Sequence, residues 1–339
     1  MNCGLMGKTC RGRLKRTDVI PKRGYRPSPY VRTTNVDREG GTAMFQPCGI
    51  VPALVTPLDQ RDRLNEAALR RLVRFVIAGG VHGVFATGSQ GEFWAFTREE
   101  KRRIWEVVVE ETAGRVPVYA GTCAVSTRET VALTRAAERA GVDAVSILTP
   151  FFVTPSQQEL YDHYRVVAEA TSLPVVLYTN PDRTGVTIPP ETLSRLAEIP
   201  NIVGIKDSSG DLALTAAYIK AVPPQFTVLM GRDTLILDGL LCGTKGAIAA
   251  TANVVPALVV RIYEAFAAGD QAAARQAQEE LTPLRQAFSW GTFPVVIKEA
   301  LNLIGMEAGP ARAPVGPLPP EKREQLAAVL RRMGALPAR

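Results

Sequence analysis

A lysine that directly follows an apolar run is the residue of this sequence best suited to chemistry. Lys206 ends the run 202–206 and precedes Asp207. If the run is a buried strand, the amine lies at its end, where burial disfavours the charged ammonium form. A neutral amine attacks carbonyl carbons and forms imines. Position alone nevertheless favours the other interpretations, which are an ion pair with Asp207 or another carboxylate, or a phosphate contact.

The preceding apolar run leads into two residues suited to proton transfer and anion binding. Tyr178 ends that run, and a phenol can donate a proton to a reacting oxygen and take it back. Taken alone, a tyrosine at a strand end is more often part of the core. Arg183 lies in the loop that follows, where its guanidinium can bind a carboxylate through two hydrogen bonds or can remain solvated.

A loop of small residues follows an earlier run, 83–87. Residues 88–91 of this loop read GSQG. Successive backbone N–H groups in such a turn can bind an anion, and the Ser89 hydroxyl adds a further donor. Two glycines in a loop are common, so this motif alone is weak evidence for a site. Glu92 follows the loop, and we expect its carboxylate to tie the loop to the barrel rather than to take part in catalysis.

These runs belong to an alternation of short apolar segments with longer amphipathic ones. The expected strands are 49–56, 83–87, 117–121, 144–148, 175–178, 202–206, 227–230 and 246–250. The expected helices are 66–78, 97–112, 127–140, 156–171, 190–198, 211–221, 234–241 and 256–267, with further C-terminal helices at 270–288, 292–303 and 320–332. Eight such units within about 220 residues predict an α/β protein, a (β/α)8 TIM barrel, whose chemistry lies at the C-terminal strand ends. A doubly wound open sheet is the alternative, but its Gly-x-Gly-x-x-Gly turn is missing.

The net charge divides the chain into regions. Residues 1–43 hold ten Lys and Arg against three acidic residues, so they carry the whole net charge of +7. The neutral remainder does not indicate binding to nucleic acid or to an acidic membrane. We expect a disordered basic extension over 1–43, the barrel over 44–268 and a helical extension over 269–339. For the extension we favour a start placed too early, with Met44 as the initiator, over a functional basic arm or a transit peptide.

The remaining residues give no indication of a metal or cofactor. The five cysteines are scattered without a Cys-x-x-Cys pair, and the two histidines lack ligand spacing, so we expect no zinc site. Unpaired cysteines are typical of reduced thiols in a cytosolic protein. The sequence has no apolar run of membrane-spanning length. We therefore expect a cytoplasmic protein without a metal, nucleic acid or membrane as partner.

Five motifs, in their order along the chain, resemble those of the dihydrodipicolinate synthase/N-acetylneuraminate lyase family of class I aldolases. They are Gly88-Ser89-Gln90-Gly91-Glu92, Thr149-Pro150-Phe151-Phe152, Leu177-Tyr178-Thr179-Asn180-Pro181, Gly204-Ile205-Lys206-Asp207 and Gly243-Thr244-Lys245-Gly246-Ala247-Ile248. The resemblance covers almost all of residues 47–335, and the order of the motifs at expected strand ends makes it specific. It implies a TIM-barrel lyase that uses a covalent imine and no cofactor, commonly as a homotetramer built from two dimers.

The resemblance also implies roles for single residues. Lys206 would form the imine with pyruvate, and Tyr178 would move protons during formation of the imine and of the carbon–carbon bond. Ser89, together with the backbone of Ser89 and Gln90, would hold the pyruvate carboxylate. The positive iminium nitrogen then acts as an electron sink, so the methyl group loses a proton and the enamine attacks an aldehyde. The same steps in reverse cleave an aldol.

The family pattern is followed at some further positions and not at others. Gly231 and Ile248 would line the pyruvate pocket, and Arg183 matches the arginine that binds the aldehyde's carboxylate in the synthases. The synthases usually carry a second hydroxyl residue where this chain has Gln90. They also usually carry, at the position of Phe152, a tyrosine that reaches a neighbouring subunit's site and completes a proton relay. Phenylalanine has no proton to pass, so these two departures leave the second substrate open.

These residues allow three classes of function: a pyruvate-dependent lyase of one of two kinds, a non-catalytic barrel, and a phosphate-binding barrel enzyme. The leading hypothesis is a synthase of lysine biosynthesis that condenses pyruvate with an aldehyde. Gln90 and Phe152 favour instead a 2-keto-3-deoxy-acid or 4-hydroxy-2-oxoglutarate aldolase of the same family. A non-catalytic barrel that binds a 2-oxo acid would tolerate loss of Lys206 or Tyr178, but both are present. A phosphate-binding barrel enzyme would carry a glycine-rich loop after strands 7 and 8, whereas residues 243–246 precede strand 8.

Overall fold

The structure is a computed structural model that describes residues 45–337. The expected basic extension, 1–43, and the expected initiator, Met44, lie outside the described residues. Within 45–337 no helix combines the length and the apolar composition that crossing a bilayer requires. The expected barrel and the expected C-terminal helices both fall within the described range.

Eight parallel strands form the centre of the fold. They are β1 (Gly49–Pro52), β2 (Val84–Ala86), β3 (Val118–Gly121), β4 (Ala144–Leu148), β5 (Val175–Thr179), β6 (Ile202–Asp207), β7 (Thr227–Met230) and β8 (Gly246–Ala249). Strands that are consecutive in sequence pair with each other from β2 through to β8, and β1 pairs with β8. A parallel bridge between Ala53 and Phe85 joins β1 to β2. The TIM barrel is thereby confirmed, and the open sheet is excluded.

Helices surround the barrel and continue beyond it. They are α1 (Glu66–Ala78), α2 (Arg98–Thr112), α3 (Thr127–Arg139), α4 (Gln157–Glu169), α5 (Pro181–Thr184), α6 (Pro190–Leu196), α7 (Leu212–Ala221), α8 (Ile236–Cys242), α9 (Pro256–Ala267), α10 (Gln271–Gln286), α11 (Val295–Leu303) and α12 (Pro320–Arg332). All the expected helices are present. The short helix α5 was not expected, because four residues are too few to show helical periodicity.

Local sequence determines where several helices begin. The Thr97 hydroxyl accepts a hydrogen bond from the Glu100 N–H, and the Glu100 carboxylate accepts one from the Thr97 N–H, so α2 starts with a capping box. Ser156 and Glu159 form the same arrangement at α4. Such caps satisfy backbone N–H groups that have no partner inside the helix. The helices can therefore start at the positions that let their apolar faces cover the strands.

Buried side chains form two layers on either side of the barrel wall. The larger layer packs the helices against the outer face of the strands. The smaller layer fills the inside of the barrel with Val51, Ala53, Phe85, Tyr119, Ala144, Val176, Val203, Leu229 and Ile248. Because the interior is packed, a substrate can reach the barrel only at the ends of the strands.

The C-terminal helices extend the barrel at the face where the strands end. Helix α10 packs against α8 and α9. Its Gln278 amide donates to the Asp233 carbonyl over 3.0 Å and accepts from the Leu237 N–H over 3.1 Å. Asp233 comes just after β7, so these hydrogen bonds fix α10 beside the C-terminal end of that strand. The helical extension can therefore contribute side chains to the site.

A buried histidine should make the stability of the fold depend on pH. His163 lies on α4 with its Nδ1 2.9 Å from the Thr127 hydroxyl, and its Nε2 has no hydrogen-bond partner within the described part of the chain. Burial lowers its pKa to about 4. An unfolded histidine has a pKa of about 6.5. Between these two values the unfolded chain binds more protons, so stability is lost as the pH falls from about 6.5 to 4.

We expect His163→Gln to reduce the loss of unfolding free energy at low pH by up to about 3 kcal/mol. The measurement is urea unfolding of wild type and variant at pH 7, 6 and 5. The slope that remains in the variant would come from His82, whose pKa burial also lowers, and from carboxylates. Identical slopes for the two proteins would contradict the prediction.

Candidate active site

Lys206 lies at the end of β6 with its amine directed to the mouth of the barrel. Its side chain is buried, and Nζ lies 4.1 Å from the centre of the Tyr178 ring and 5.6 Å from that of Phe85. The next residue, Asp207, points the other way, because side chains alternate along a strand. Its carboxylate accepts hydrogen bonds from the Thr215 hydroxyl over 2.6 Å and the Ser209 N–H over 2.9 Å. Asp207 is therefore no ion-pair partner for Lys206.

Tyr178 stands beside Lys206 because β5 and β6 pair with these two residues in register. The phenol oxygen accepts a hydrogen bond from the Asn180 amide over 3.0 Å and lies 3.5 Å from the Ser89 hydroxyl. Burial acts to raise the pKa of Tyr178. The nearby Lys206 ammonium and hydrogen bonds with Ser89, Asn180 and Ser208 outweigh burial, so the pKa is lowered overall. A phenol with a lowered pKa exchanges its proton more readily with a reacting oxygen.

The loop after β2 presents Ser89 and Gln90 to the same space. Thr87, just before the loop, has a left-handed backbone with φ of 51°. Its hydroxyl donates to the Gly121 carbonyl over 3.0 Å and accepts from the Trp105 indole over 2.7 Å, which offsets the strain of that conformation. Gln90 is 8% exposed, and its buried Oε1 has no hydrogen-bond partner among residues 45–337. The residue forms part of the cavity wall.

Gly231 follows β7 at a point where only glycine fits. Its N–H donates to the Asp207 carbonyl over 2.7 Å. A Cβ at this position would lie 2.0 Å from the Ser208 hydroxyl oxygen and 2.8 Å from the Asp207 carbonyl oxygen. The missing side chain lets β7 approach β6 closely. Ile248 of β8, part of the layer inside the barrel, forms another part of the wall.

These residues surround one cavity of about 410 Å³ at the C-terminal end of the barrel. Seven of the residues predicted from sequence line it: Ser89, Gln90, Tyr178, Arg183, Lys206, Gly231 and Ile248. Residues 45–337 contain no group of three or more His, Cys, Asp or Glu side chains placed to hold a metal ion. The cavity thus combines an amine, a phenol and the Ser89 loop.

Phe152 is the one predicted substrate-binding residue that the structure keeps out of this cavity. Its side chain is 96% exposed, and its backbone is left-handed with φ of 73°. This conformation turns the loop after β4 outward, so the ring points away from the barrel. Phe152 therefore lies outside the cavity of its own chain, and its expected role at a neighbouring subunit's site stays a prediction. The neighbouring Phe151 turns inward and packs against Phe93.

Three arginines line the cavity. The Arg183 guanidinium stacks on Phe293 at 4.5 Å, and that of Arg285 stacks on Phe288 at 4.8 Å. Arg232 donates to the Ser208 carbonyl over 2.8 Å and forms an ion pair with Asp182, so part of its charge is already neutralised. Arg183 and Arg285 are stacked on rings without an acidic partner among the described residues, and they can bind an anionic substrate.

Several lining residues were not predicted from the sequence. Arg285, Phe288, Ser289 and Phe293 come from α10 and the segment that follows it. They lie after the last barrel strand, and their spacing carries no sign of a site. Asn180 stood in a recognised motif, and Ser208 directly follows another. The hydrogen bond of Ser208 with Tyr178 depends on the pairing of β5 with β6. Strand-end position was the available signal for these two.

The fold and this cavity define a class of enzyme, a TIM-barrel lyase of the class I aldolase type. The model of the dihydrodipicolinate synthetase family matches residues 46–333. The chain therefore belongs to that family.

Individual relatives agree with the family match. The 4-hydroxy-tetrahydrodipicolinate synthase of Methanopyrus kandleri is 41% identical over 86% of this chain and 98% of its own length. The crystal structure of dihydrodipicolinate synthase from Aquifex aeolicus is similar with a TM-score of 0.83 at 32% identity, covering 85% of this chain and 98% of that one. A prophage protein of the same family from Escherichia coli, solved in complex with pyruvate, gives 0.82 at 33% identity, with coverages of 85% and 99%.

The position of Tyr178 leads to a kinetic prediction. If its phenol moves protons, Tyr178→Phe should lower kcat by about 10² to 10⁴ and change the KM for the keto acid much less. The matched control is Tyr164→Phe, because Tyr164 is also buried but its hydroxyl donates to the Ile147 carbonyl on the outer side of the barrel. Steady-state kinetics of both variants provide the measurement. Equal losses in the two variants would argue for a general effect of removing a buried hydroxyl.

Proposed function

We propose that this chain is a Schiff-base-forming lyase that condenses pyruvate with an aldehyde, as a 4-hydroxy-tetrahydrodipicolinate synthase does. The observation that carries this proposal is the placement of the Lys206 amine against the Tyr178 ring, inside a cavity that also contains the Ser89 loop. The names of the relatives, at about 40% identity, support the same activity. Pyruvate bound to the Escherichia coli relative supports the choice of keto acid.

In the first half of the reaction, pyruvate is bound and joined to the enzyme. The Ser89 hydroxyl and the N–H groups of the Ser89 loop hold the carboxylate, which places the keto carbon near Lys206. The unprotonated amine adds to that carbon, and Tyr178 supplies the proton that lets the former keto oxygen leave as water. The product is an iminium that links Lys206 to the keto acid.

In the second half, the iminium makes the methyl group acidic. The Tyr178 phenolate left by the first half takes a methyl proton, which gives an enamine. The enamine carbon attacks the aldehyde carbon, and the new alkoxide takes that proton back from Tyr178. Arg183 and Arg285 are placed to bind a carboxylate on the aldehyde, because both line the cavity. Water then hydrolyses the imine, releases the product and restores the Lys206 amine. No further reactant is needed for the atoms to balance.

Borohydride reduction tests this chemistry directly. Incubation with pyruvate and borohydride should inactivate the enzyme and add a pyruvyl group, found by mass mapping on the peptide that contains Lys206. Lys206→Ala should give no adduct, whereas Lys245→Ala, which changes a lysine at the opposite end of the barrel, should give the wild-type adduct. An adduct on a different lysine, or none in the wild type, would refute the proposed mechanism.

A second candidate is an aldolase for 2-keto-3-deoxy acids or 4-hydroxy-2-oxoglutarate. The presence of Gln90 in the cavity wall favours it, because the synthases usually carry a second hydroxyl residue at this position. Assays of condensation with aspartate semialdehyde, and of cleavage of the two kinds of aldol, distinguish the candidates. The alternative of a non-catalytic barrel is not supported, since relatives over most of the chain are synthases.

We also propose that the chain acts as a homotetramer in the cytoplasm, within lysine biosynthesis. Exposed apolar side chains support association of copies: Trp94, Val125, Phe152 and Val153. Exposed apolar residues of this size mark interaction surfaces when they are contiguous. Cys48, Cys123 and Cys242 are free, which suits a reducing compartment.

Phe152 gives a test of both the relay and the assembly. If its ring reaches the cavity of a second copy, Phe152→Tyr should restore a hydroxyl to the proton relay and raise kcat with aspartate semialdehyde by about tenfold. Phe151→Tyr is the control, since that ring packs within its own chain against Phe93. Kinetics should be paired with sedimentation to record the oligomeric state. An unchanged kcat in Phe152→Tyr would contradict the role given to this position.

A further inference from the structure

A fully buried ion pair joins the Ser89 loop to the C-terminal extension. The Lys298 Nζ of α11 lies 2.5 Å from the Glu92 Oε1, and the two side chains are 1% and 0% exposed. Burial lowers the pKa of Lys298, while the attraction of Glu92 opposes that shift. Two charges taken out of water cost more free energy than an apolar pair of the same size. Stability alone therefore gives no reason for placing an ion pair here.

The backbone of Glu92 connects this pair to the residues that face the cavity. Glu92 has a left-handed backbone with φ of 55° and ψ of 42°, which is strained for a residue with a side chain. Its N–H donates to the Ser89 carbonyl over 3.1 Å. This hydrogen bond closes a turn around Gln90 and Gly91. The position of the Glu92 side chain consequently fixes the turn whose first residue is Ser89.

The C-terminal extension holds both carboxylate oxygens of Glu92. Besides the contact of Lys298 with Oε1, the Arg312 N–H donates to Oε2 over 2.7 Å. Lys298 also donates to the Pro310 carbonyl over 2.7 Å, and the Arg312 guanidinium donates to the Ala95 carbonyl over 2.7 Å. We call Glu92, Lys298, Pro310 and Arg312 the Glu92 clamp. The partners of Glu92 in the clamp all lie after the barrel.

We propose that the Glu92 clamp positions the Ser89 loop for the keto-acid carboxylate, with Glu92 and Lys298 as positioning residues. The inference rests on the proposed function, since it gives the loop a carboxylate to bind. The Lys298 ammonium of α11 and the backbone N–H of Arg312 hold the Glu92 carboxylate, and with it a strained turn, in one conformation. A non-directional apolar contact would not do this. A displacement of a bound group by only 1 Å can lower the reaction rate by about 10²-fold. The extension thus acts on the first half of the reaction.

The test compares single and double replacements in the full chain. Lys298→Met and Glu92→Gln each leave one buried polar partner unpaired, so both should lower the Tm. The double variant Glu92→Gln/Lys298→Met removes both charges and should regain part of that Tm. All three should raise the KM for pyruvate about tenfold or more and slow borohydride trapping at Lys206. The KM for the aldehyde should change much less.

Glu299→Gln is the matched control, because Glu299 follows Lys298 on α11 but pairs with Arg323 of α12 at the surface. It should leave the KM for pyruvate at the wild-type value. Hydrogen exchange of the peptide covering 85–95 should accelerate in the double variant and not in the control. A folded double variant with wild-type KM and wild-type exchange would overturn the inference. If the wild type formed no pyruvyl adduct, the proposed function would fail, and the exchange result would still decide whether the clamp holds the loop.

Discussion

The hydrogen-bonded register between β5 and β6 is the constraint on which the site depends. It sets Tyr178 opposite Lys206, so the amine and the phenol face the same space. Parallel strands place their C-terminal ends on one face, which brings the Ser89 loop and Gly231 to the same cavity. A slip of one residue in this pairing would turn one of the two side chains out of the barrel. The relative positions of the amine and the phenol are thus set first by backbone pairing and only then by side-chain contacts.

Charge then decides how the two residues behave. Tyr178 is buried, and burial by itself favours the neutral phenol. The adjacent Lys206 ammonium and the hydrogen bonds with Ser89, Asn180 and Ser208 outweigh burial, so the pKa of Tyr178 is lowered overall. Asp207, the acidic residue nearest in sequence to the lysine, is kept away from it by strand alternation and by its bonds to Thr215 and Ser209. The amine therefore has an aromatic ring rather than a carboxylate as its neighbour.

Much of this arrangement could be predicted from the sequence, because the order of the strands along the chain determines where each strand lies in a TIM barrel. The apolar run before Lys206, the motifs around residues 89 and 178 and the family resemblance together predicted seven residues that line one cavity. The contribution of Arg285 and Phe293 could not be predicted, since it depends on how α10 docks beside β7 through Gln278. The direction of Phe152 depends on a left-handed backbone angle that no periodic pattern indicates. The short helix α5 was missed for lack of length.

The residues that line the cavity come from two parts of the chain, for which we propose different roles. The strand ends supply the groups to which we assign action on the keto acid, while α10 and the segment after it supply Arg285, Phe288, Ser289 and Phe293. Substitutions in the later segment can alter which aldehyde fits without touching the register of β5 and β6. Such a division lets homologous enzymes diverge in their second substrate while they keep the same covalent intermediate. The helical extension is therefore the region in which new specificities within this architecture are most readily selected or engineered.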